Sequence, residues 1–586
     1  MAARVTLALF LVFMALAPLL VPEFYVTLMN YIGMATLVTL GLVLLTGVVG
    51  VMSFGQQAFT GLAAYTTAVL TTVYGVSPWV TLFAALALTA ALALTLGFIT
   101  LRLSGHYLAI STIAWGIAIY FVFGNLEILG RYSGLDNIPP VSLFGWALDT
   151  GRESYYLIWI MTLAALIAAR NLLDSRSGRA IRALRFRSVM AESYGVDTAM
   201  LKIIVFLYAA LLAGVSGWLY AHYLRFVAPH GFGVNAGIDY LFMAVVGGAS
   251  HVWGAVIGAS LLTLLREWLN DLLPKLFQRT GNYEIVVFGV LMMLLLHRTR
   301  DGLAPVFARL LPAGPGRARP AEAPALARRE QPQSGEALLE VRAAQKQFGG
   351  LVAVGNLSFE MKSGEILGLI GPNGAGKSTV FNLITGVLRA DEGEIRFRGE
   401  RIDRHPTKEI AARGICRTFQ HVNLVSAMSV LDNVALGAHL RGRRGTVAAM
   451  LRRDRAEEAQ LLAEAARQID RVGLGSHLFE PAGSLPLGQQ RVVEIARALC
   501  GDPLLLLLDE PAAGLRYGEK SALAELLRRL RAEGTSILLV EHDMEFVMGL
   551  VDRLVVMDFG EKLAEGLPLE IQTNPAVVEA YLGGIE

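Results

Sequence analysis

The sequence predicts two architectures in one chain: an N-terminal α-helical polytopic membrane domain, followed by an α/β domain of the phosphate-loop type with a helical subdomain. Three observations predict this. Residues 24–101, seventy-eight in a row, contain no Asp, Glu, Lys, Arg or His. The stretch Gly371-Pro372-Asn373-Gly374-Ala375-Gly376-Lys377-Ser378-Thr379 has the pattern of a loop that cradles phosphate. Between them, residues 301–337 carry six prolines among Gly, Ala, Arg and Glu, a composition that buries no core. The expected domains are therefore 1–300 in the membrane, 301–337 as a tether, and 338–586 outside the lipid.

At 586 residues the chain is too long for one core. Its 54% hydrophobic content averages two unlike halves, because residues 1–150 hold only seven Asp, Glu, Lys or Arg. A net charge of +2 singles out no partner class, and nucleic acid is not expected. Cys416 and Cys500 stand at no metal-ligand or CxxC spacing, so buried, reduced thiols are expected.

In the membrane half, residues 79–100 are uncharged and would form a helix of about 33 Å, against a hydrocarbon layer of about 30 Å. Similar runs occupy 5–21, 24–50, 58–74, 107–123, 155–169, 201–224, 239–265 and 283–297, giving eight or nine segments without a polar stripe. The first run follows Arg4 and has the look of a secretory signal. Pro18, Pro22 and Glu23 make a poor cleavage site, so a retained helix is expected.

Arg170, Arg176, Arg179, Arg182, Arg185, Arg187 and Lys202 crowd one loop, which places it on the cytoplasmic side. Residues 125–154, with two Arg and four acids, read as external. Arg298 and Arg300 follow the last run and lead into the phosphate-loop domain, which must be inside. Three simple crossings from the basic loop would put that domain outside, so one run is not a plain crossing. The candidate is 239–265, interrupted at Gly247-Gly248 and at Gly254, as in paired half-helices that enter and return. A second polar break holds Ser53, Gln56 and Gln57. These three, with Gly247 and Gly248, are candidates for a substrate pathway; small residues here also suit close helix packing.

After residue 338, short apolar strands such as Ile366–Ile370, 504–508 and 537–540 alternate with helical stretches, which predicts a parallel sheet. The strand Ile366–Ile370 enters the glycine loop and a helical pattern leaves it. In that context Gly371, Asn373, Gly374, Gly376, Lys377, Ser378 and Thr379 are phosphate-binding candidates: backbone N–H groups and Lys377 meet phosphate, and the Ser378 hydroxyl reaches Mg2+. Asp509-Glu510 ends a buried strand, suiting a metal contact and a base that polarises water.

Leu485-Pro486-Leu487-Gly488-Gln489-Gln490-Arg491 lies between the loop and those acids and resembles the signature of ABC transporter nucleotide-binding domains. The resemblance implies that two such domains clamp ATP between the loop of one and the signature of the other, so Leu485, Gly488 and Gln489 would serve a partner's ATP. It also implies that Gln420, in Arg417-Thr418-Phe419-Gln420, senses γ-phosphate and Mg2+. His542, in Val540-Glu541-His542-Asp543, matches the switch histidine, and Phe348 matches the aromatic that stacks on adenine. With Lys377 and Glu510, His542 completes the expected catalytic set; Asp509 joins Ser378 and Gln420 at the metal. Two departures stand out: Pro486 replaces the usual signature Ser, and Arg516 replaces an Asp or Asn expected at the dimer seam.

Phe348-Gly349-Gly350-Leu351-Val352-Ala353-Val354 and Asp509-Glu510-Pro511-Ala512-Ala513-Gly514-Leu515 are similar to the ATP subunit of branched-chain amino acid importers. The permease of the same group is resembled by Ser53-Phe54-Gly55-Gln56, by Leu101-Arg102-Leu103-Ser104-Gly105-His106-Tyr107-Leu108-Ala109-Ile110 and by Val245-Val246-Gly247-Gly248-Ala249-Ser250-His251-Val252-Trp253-Gly254. The resemblance implies a fused permease and ATPase in a bacterial inner membrane that imports hydrophobic amino acids, small amides or urea. It further implies a second permease subunit, a second ATPase subunit and an extracytoplasmic solute-binding protein. Residues 188–196, with Ala191, Glu192 and Gly195, fit the cytoplasmic coupling helix of such permeases. Arg179, Arg182 and Arg185 recur every three residues and suit either that docking or lipid headgroups. An exporter half-transporter and an ATP-gated channel are the competing readings.

Overall fold

The computed structural model describes residues 12–103, 105–186, 188–277, 283–298, 302–310 and 317–582. The start of the 5–21 run, Ser104, Arg187, Arg300 and residues 311–316 of the expected tether lie outside the described residues. The chain divides into two units: Met1–Leu173 with Ala199–Gly316, and Asp174–Thr198 with Arg317–Glu586.

Among the described residues of the first unit, five helices are long and apolar enough to cross a membrane: Glu23–Val49, Pro78–Thr100, His106–Asn125, Gly151–Leu173 and Thr198–Leu224. The start of the 5–21 run lies outside the described residues, and for the other runs the difference from eight or nine segments is one of length and charge. The 58–74 run is a 17-residue helix, Gln56–Thr72, and the 283–297 run a 16-residue helix, Tyr283–Arg298. The most apolar window of Glu23–Val49 is 89% buried, against 28% for Pro78–Thr100 and His106–Asn125. Phe83, Ile99 and Ile110 on the outer pair are exposed, a face that lipid tolerates and water does not. Close packing inside the unit depends on small residues: a Cβ on Gly41 would stand 2.9 Å from the Ala209 Cα. Thr36 and Thr162 hydroxyls return to the carbonyls four residues back, at 2.7 and 2.8 Å, so they do not face lipid unpaired.

The 239–265 run is broken where its glycines stand. Val234–Gly247 ends at Gly248 (φ 112°), and the following helix, Gly254–Phe277, runs twelve residues past the expected end at 265. Gly247, Gly254 and Gly258 let the two backbones touch; a Cβ on Gly247 would overlap the Gly254 carbonyl. At 14 residues, about 21 Å, the first of these helices is shorter than a bilayer core. Residues 50–55 likewise interrupt two helices, after a π-helical turn at Val43–Val49.

In the second unit, a six-stranded sheet has the order Glu561–Gly566, Arg553–Asp558, Ile366–Ile370, Ser536–Val540, Leu505–Asp509, Ile415–Arg417. All pairings are parallel except the Glu561–Gly566 edge. The three sequence-read strands are its centre, buried on both faces, which explains their unbroken apolar runs. A separate antiparallel sheet, built on the hairpin Ala337–Phe348 and Leu351–Lys362, was not foreseen; its bulged register hides the alternation that marks strands. The helices Val430–Gly437, Arg455–Arg471 and Leu487–Cys500 gather a second apolar core around Leu431, Leu461, Ile469 and Val493, and this is the expected helical subdomain.

Two expectations are corrected. Asp174–Thr198, read as part of the membrane domain, is counted with the second unit. The 301–337 segment is no free tether over its described second part: Leu326 packs on the helical-subdomain core, Arg317 pairs with Asp432 at 2.6 Å, and Arg329 donates to the Gly501 and Asp502 carbonyls at 2.5 Å. Proline removes N–H donors without preventing arginines from reaching a folded surface, so composition alone misreads such a segment.

Candidate functional site

Parallel strands deliver their C-terminal ends to one edge of the sheet, where ligands of α/β folds collect. Ile366–Ile370 opens there into the glycine loop; Gly371, Gly374 and Gly376 have φ of 156°, 88° and 96°. The last two angles favour glycine, and a Cβ on Gly376 would run into the Ala353 carbonyl. The helix Lys377–Ile384 follows, with its N-terminus at the loop. Asn373, Gly374 and Ser378 are exposed, Thr379 half-buried. Lys377 Nζ donates to the Gly371 and Pro372 carbonyls, each at 2.8 Å. Burial holds its pKa below the usual lysine value, against the opposing charges of Glu510 and Asp509.

Asp509 and Glu510 end the strand two places along the sheet. Asp509 is buried; its Oδ2 lies 3.8 Å from Arg417 and its Oδ1 has no hydrogen-bond partner among the described residues. Burial raises its pKa, Glu510 adds to the rise, and Arg417 and Lys377 oppose it. Glu510 has φ 48°, a conformation costly for a side-chain-bearing residue. Three bonds hold it: Glu510 N to the Val540 carbonyl (2.8 Å), and the Glu510 carbonyl accepting from Ala513 N (3.2 Å) and Arg491 Nη1 (2.8 Å). His542, following the intervening strand Ser536–Val540, places Nδ1 3.9 Å from Glu510 Oε2 and is well exposed. Beneath it Glu541 is buried, accepts from Ala512 N at 2.6 Å, and has its pKa raised by burial.

Gln420 is exposed, and its carbonyl accepts from Arg491 Nη2 at 3.3 Å. The structure thus brings Lys377, Asp509, Glu510, His542 and Gln420 to one edge. Phe348 stands at the end of its strand with an open ring, 5.6 Å from Lys346 Nζ. Leu485 is buried, while Gly488 and Gln489 lie in the first turn of Leu487–Cys500, which Pro486 opens without a side-chain cap. Arg516 precedes the helix Tyr517–Ala532, its N–H bonded to Glu519 at 2.8 Å. Arg417 and Arg491, which tie the acids in place, were not singled out in the sequence; no spacing marks an arginine whose partners lie on other elements.

The coupling candidates are built into this unit. Ala191 is fully buried, Glu192 Oε1 accepts from the Thr198 hydroxyl at 2.5 Å, and Gly195 (φ 78°) packs where a Cβ would overlap Leu440. The buried Tyr194 accepts from Arg497 Nε at 3.1 Å and donates to the Arg417 carbonyl at 3.2 Å. Arg179 is buried and doubly bonded to Glu458, so it is not a headgroup contact. Arg185 is exposed.

A glycine loop on the central strand, acids two strands along and a separate helical core together define an ATP-binding cassette ATPase. The family model described as ABC transporter matches residues 354–513, and that for the branched-chain amino acid ATP-binding cassette transporter matches 561–586. The model for the branched-chain amino acid transport system / permease component matches 24–296. The high-affinity branched-chain amino acid transport ATP-binding protein LivG of Salmonella typhimurium is 44% identical over 249 residues, 42% of this chain and 98% of that protein. BraF of Pseudomonas aeruginosa, described in the same words, is 40% identical over the same shares. A crystal structure of a nucleotide-free ATP-binding cassette from an ABC transporter aligns with 31% identity and TM-score 0.38, over 42% of this chain and all of that one. The chain belongs to the branched-chain amino acid transport family of ABC transporters, an ATP-hydrolysing membrane protein with permease and ATPase fused in one polypeptide.

Proposed function

We propose that this chain is one permease–ATPase half of an importer that carries branched-chain and other hydrophobic amino acids across a bacterial inner membrane. The observation that carries the reading is the docking of Tyr194 on Arg417. A segment flanked by two apolar helices of the membrane unit is bonded to the strand beside Asp509. The relatives' names, which specify high-affinity branched-chain amino acid transport, support the substrate class. The described helices of the membrane unit run to 27 residues at most, which supports an importer over an exporter with long cytosolic helices.

In this reading the backbone of residues 371–379 and Lys377 hold the phosphates and Phe348 covers adenine. Lys377 would leave its two carbonyl partners for them. Ser378, Gln420 and Asp509 would hold Mg2+, for which the unpartnered Asp509 Oδ1 and the exposed Ser378 and Gln420 are suited donors. Bound Mg2+ would neutralise charge on the β- and γ-phosphates. Glu510 takes the proton of the attacking water, and His542 keeps water and phosphate in line. Gly488 and Gln489 face the ATP of a second ATPase subunit, with backbone N–H groups replacing the hydroxyl that Pro486 lacks, whereas Leu485, also expected there, is buried in the helical-subdomain core. Closure of the two cassettes moves Ala191, Glu192 and Gly195, and with them the permease. ATP biases the states only by binding the closed pair more tightly. A second permease and an extracytoplasmic solute-binding protein complete the assembly.

The test is uptake of labelled leucine by proteoliposomes holding the chain, its companion subunits and the binding protein. ATP-dependent accumulation is expected. ATP-driven loss from preloaded vesicles without uptake would establish an exporter, and passive ATP-gated flux a channel.

A further inference from the structure

We propose that the break before the helix Gln56–Thr72 is the site in the permease that holds the zwitterionic end of a hydrophobic amino acid. This rests on the amino-acid import reading above. Ser53, Gln56 and Gln57 are 0%, 1% and 1% exposed. Ser53 Oγ, both amide atoms of Gln56, Gln57 Oε1 and Trp115 Nε1 are buried with no hydrogen-bond partner among the described residues. A buried donor or acceptor left without a partner is destabilising, and lipid cannot supply the missing partner. Five at one break are a stability liability that a ligand would remove.

The surroundings make room for these groups. A Cβ on Gly116 would stand 3.1 Å from Gln57 Nε2, and one on Gly237 would overlap Gln57 Oε1. A Cβ on Gly55 would likewise overlap the Trp115 ring. Glycines on three separate elements therefore clear space around Gln57 and Trp115, and Phe54 N is held by the Thr112 hydroxyl at 3.1 Å. The Gln56–Thr72 helix begins at Gly55 without a side-chain cap; Ala58 N is bonded to the Gly55 carbonyl at 3.1 Å, and the positive dipole end faces the break and suits a carboxylate.

The chemistry is that of a neutral zwitterion. Ser53, Trp115 and the Gln56 amide nitrogen are donors for a carboxylate, and the two glutamine oxygens are acceptors for an ammonium group. No charged side chain lies between residues 24 and 101, so the break itself contributes neutral donors and acceptors. The neighbouring wall is aromatic: the Phe59 ring lies 5.1 Å from Trp115 and 5.8 Å from Phe206, centroid to centroid. That wall suits a branched aliphatic side chain and offers urea nothing.

The experiment measures leucine uptake by the assembled transporter, with solute-binding protein in excess, in wild type, Ser53→Ala, Gln57→Leu and Trp115→Phe. A rise in the KM for leucine of at least five-fold in two of the three is expected, together with competition by isoleucine and not by urea or acetamide. If Gln57→Leu does not assemble, Ser53→Ala and Trp115→Phe decide. KM values within two-fold of wild type with only Vmax reduced would reduce these residues to packing and overturn the proposal. So would equal competition by urea. A wild type that imports no amino acid would defeat the import reading itself, an outcome distinct from unchanged KM values.

Discussion

The Tyr194 hydroxyl lies 3.2 Å from the Arg417 carbonyl, and Arg417 Nη2 lies 3.8 Å from Asp509 Oδ2. A residue of the segment between two apolar helices is thus two contacts from a carboxylate at the nucleotide edge. Such a chain of packed and bonded groups is a physical route for coupling, and perturbing its links tests it.

Tyr194→Phe removes one hydroxyl and leaves the Arg417 carbonyl and Arg497 Nε each short of a partner. A loss of about 1–3 kcal/mol is expected in the seating of residues 188–198. Transport should fall more than ATP hydrolysis, so the ratio of leucine moved to ATP consumed, measured in proteoliposomes, should drop.

Arg179 and Glu458 form an ion pair with side chains 3% and 6% exposed. Replacing either alone, Arg179→Leu or Glu458→Leu, strands a buried charge and should cost about 3–5 kcal/mol. The double variant should recover part of that loss in a thermal double-mutant cycle; strict additivity would show that the two side chains act independently.

Glu510→Gln keeps the shape and bonding of the strained residue while removing its basicity. Hydrolysis should fall by about 10²–10⁴-fold with nucleotide binding retained, as read by steady-state phosphate release and a fluorescent ATP analogue. Unchanged turnover in the assembled complex would remove Glu510 from the base role.

His439 has its pKa pushed down to about 3 by burial, with the nearby Arg176 and Arg179 charges adding to the effect. The folded chain therefore keeps it neutral where the unfolded chain takes up a proton, near pH 6.5. Its contribution to stability is full above about 6.5 and is lost progressively as pH falls towards 3. His439→Gln should flatten the dependence of melting temperature on pH between 7 and 5. Buried carboxylates such as Asp509 and Glu541 shift stability the opposite way, so the difference between variant and parent isolates the histidine.

Residues 317–337 should stabilise the cassette that follows them. A fragment 317–586 keeps Leu326 and the Arg329 contacts that 338–586 lacks, together about 2 kcal/mol by area and hydrogen-bond estimates. That corresponds to a melting temperature higher by roughly 4–8 °C for a unit of this size, measurable by differential scanning fluorimetry.

The phosphate loop, the acids after 504–508 and the uncharged helices were legible because each is a local pattern: a glycine spacing, an apolar strand with charged ends, a run without charge. The break at Gly247-Gly248 was legible for the same reason, although the helix after it continues to Phe277. Arg491 at Glu510, Arg417 at Asp509 and Arg179 at Glu458 were not, because a side chain's partner on another element leaves no spacing in the chain.

By itself the sequence determined that lipid-compatible helices and a phosphate-loop sheet occur in order along one polypeptide, since helix length, strand burial and glycine geometry are set by neighbouring residues. Only the tertiary structure decided that Asp174–Thr198 is counted with the cassette, that the proline-bearing segment packs on it, and that Ser53 Oγ, both Gln56 amide atoms and Gln57 Oε1 are buried without a hydrogen-bond partner among the described residues. Those outcomes depend on which surfaces meet. Contacts hundreds of residues apart are selected by complementary shape and charge, which no local window of sequence contains.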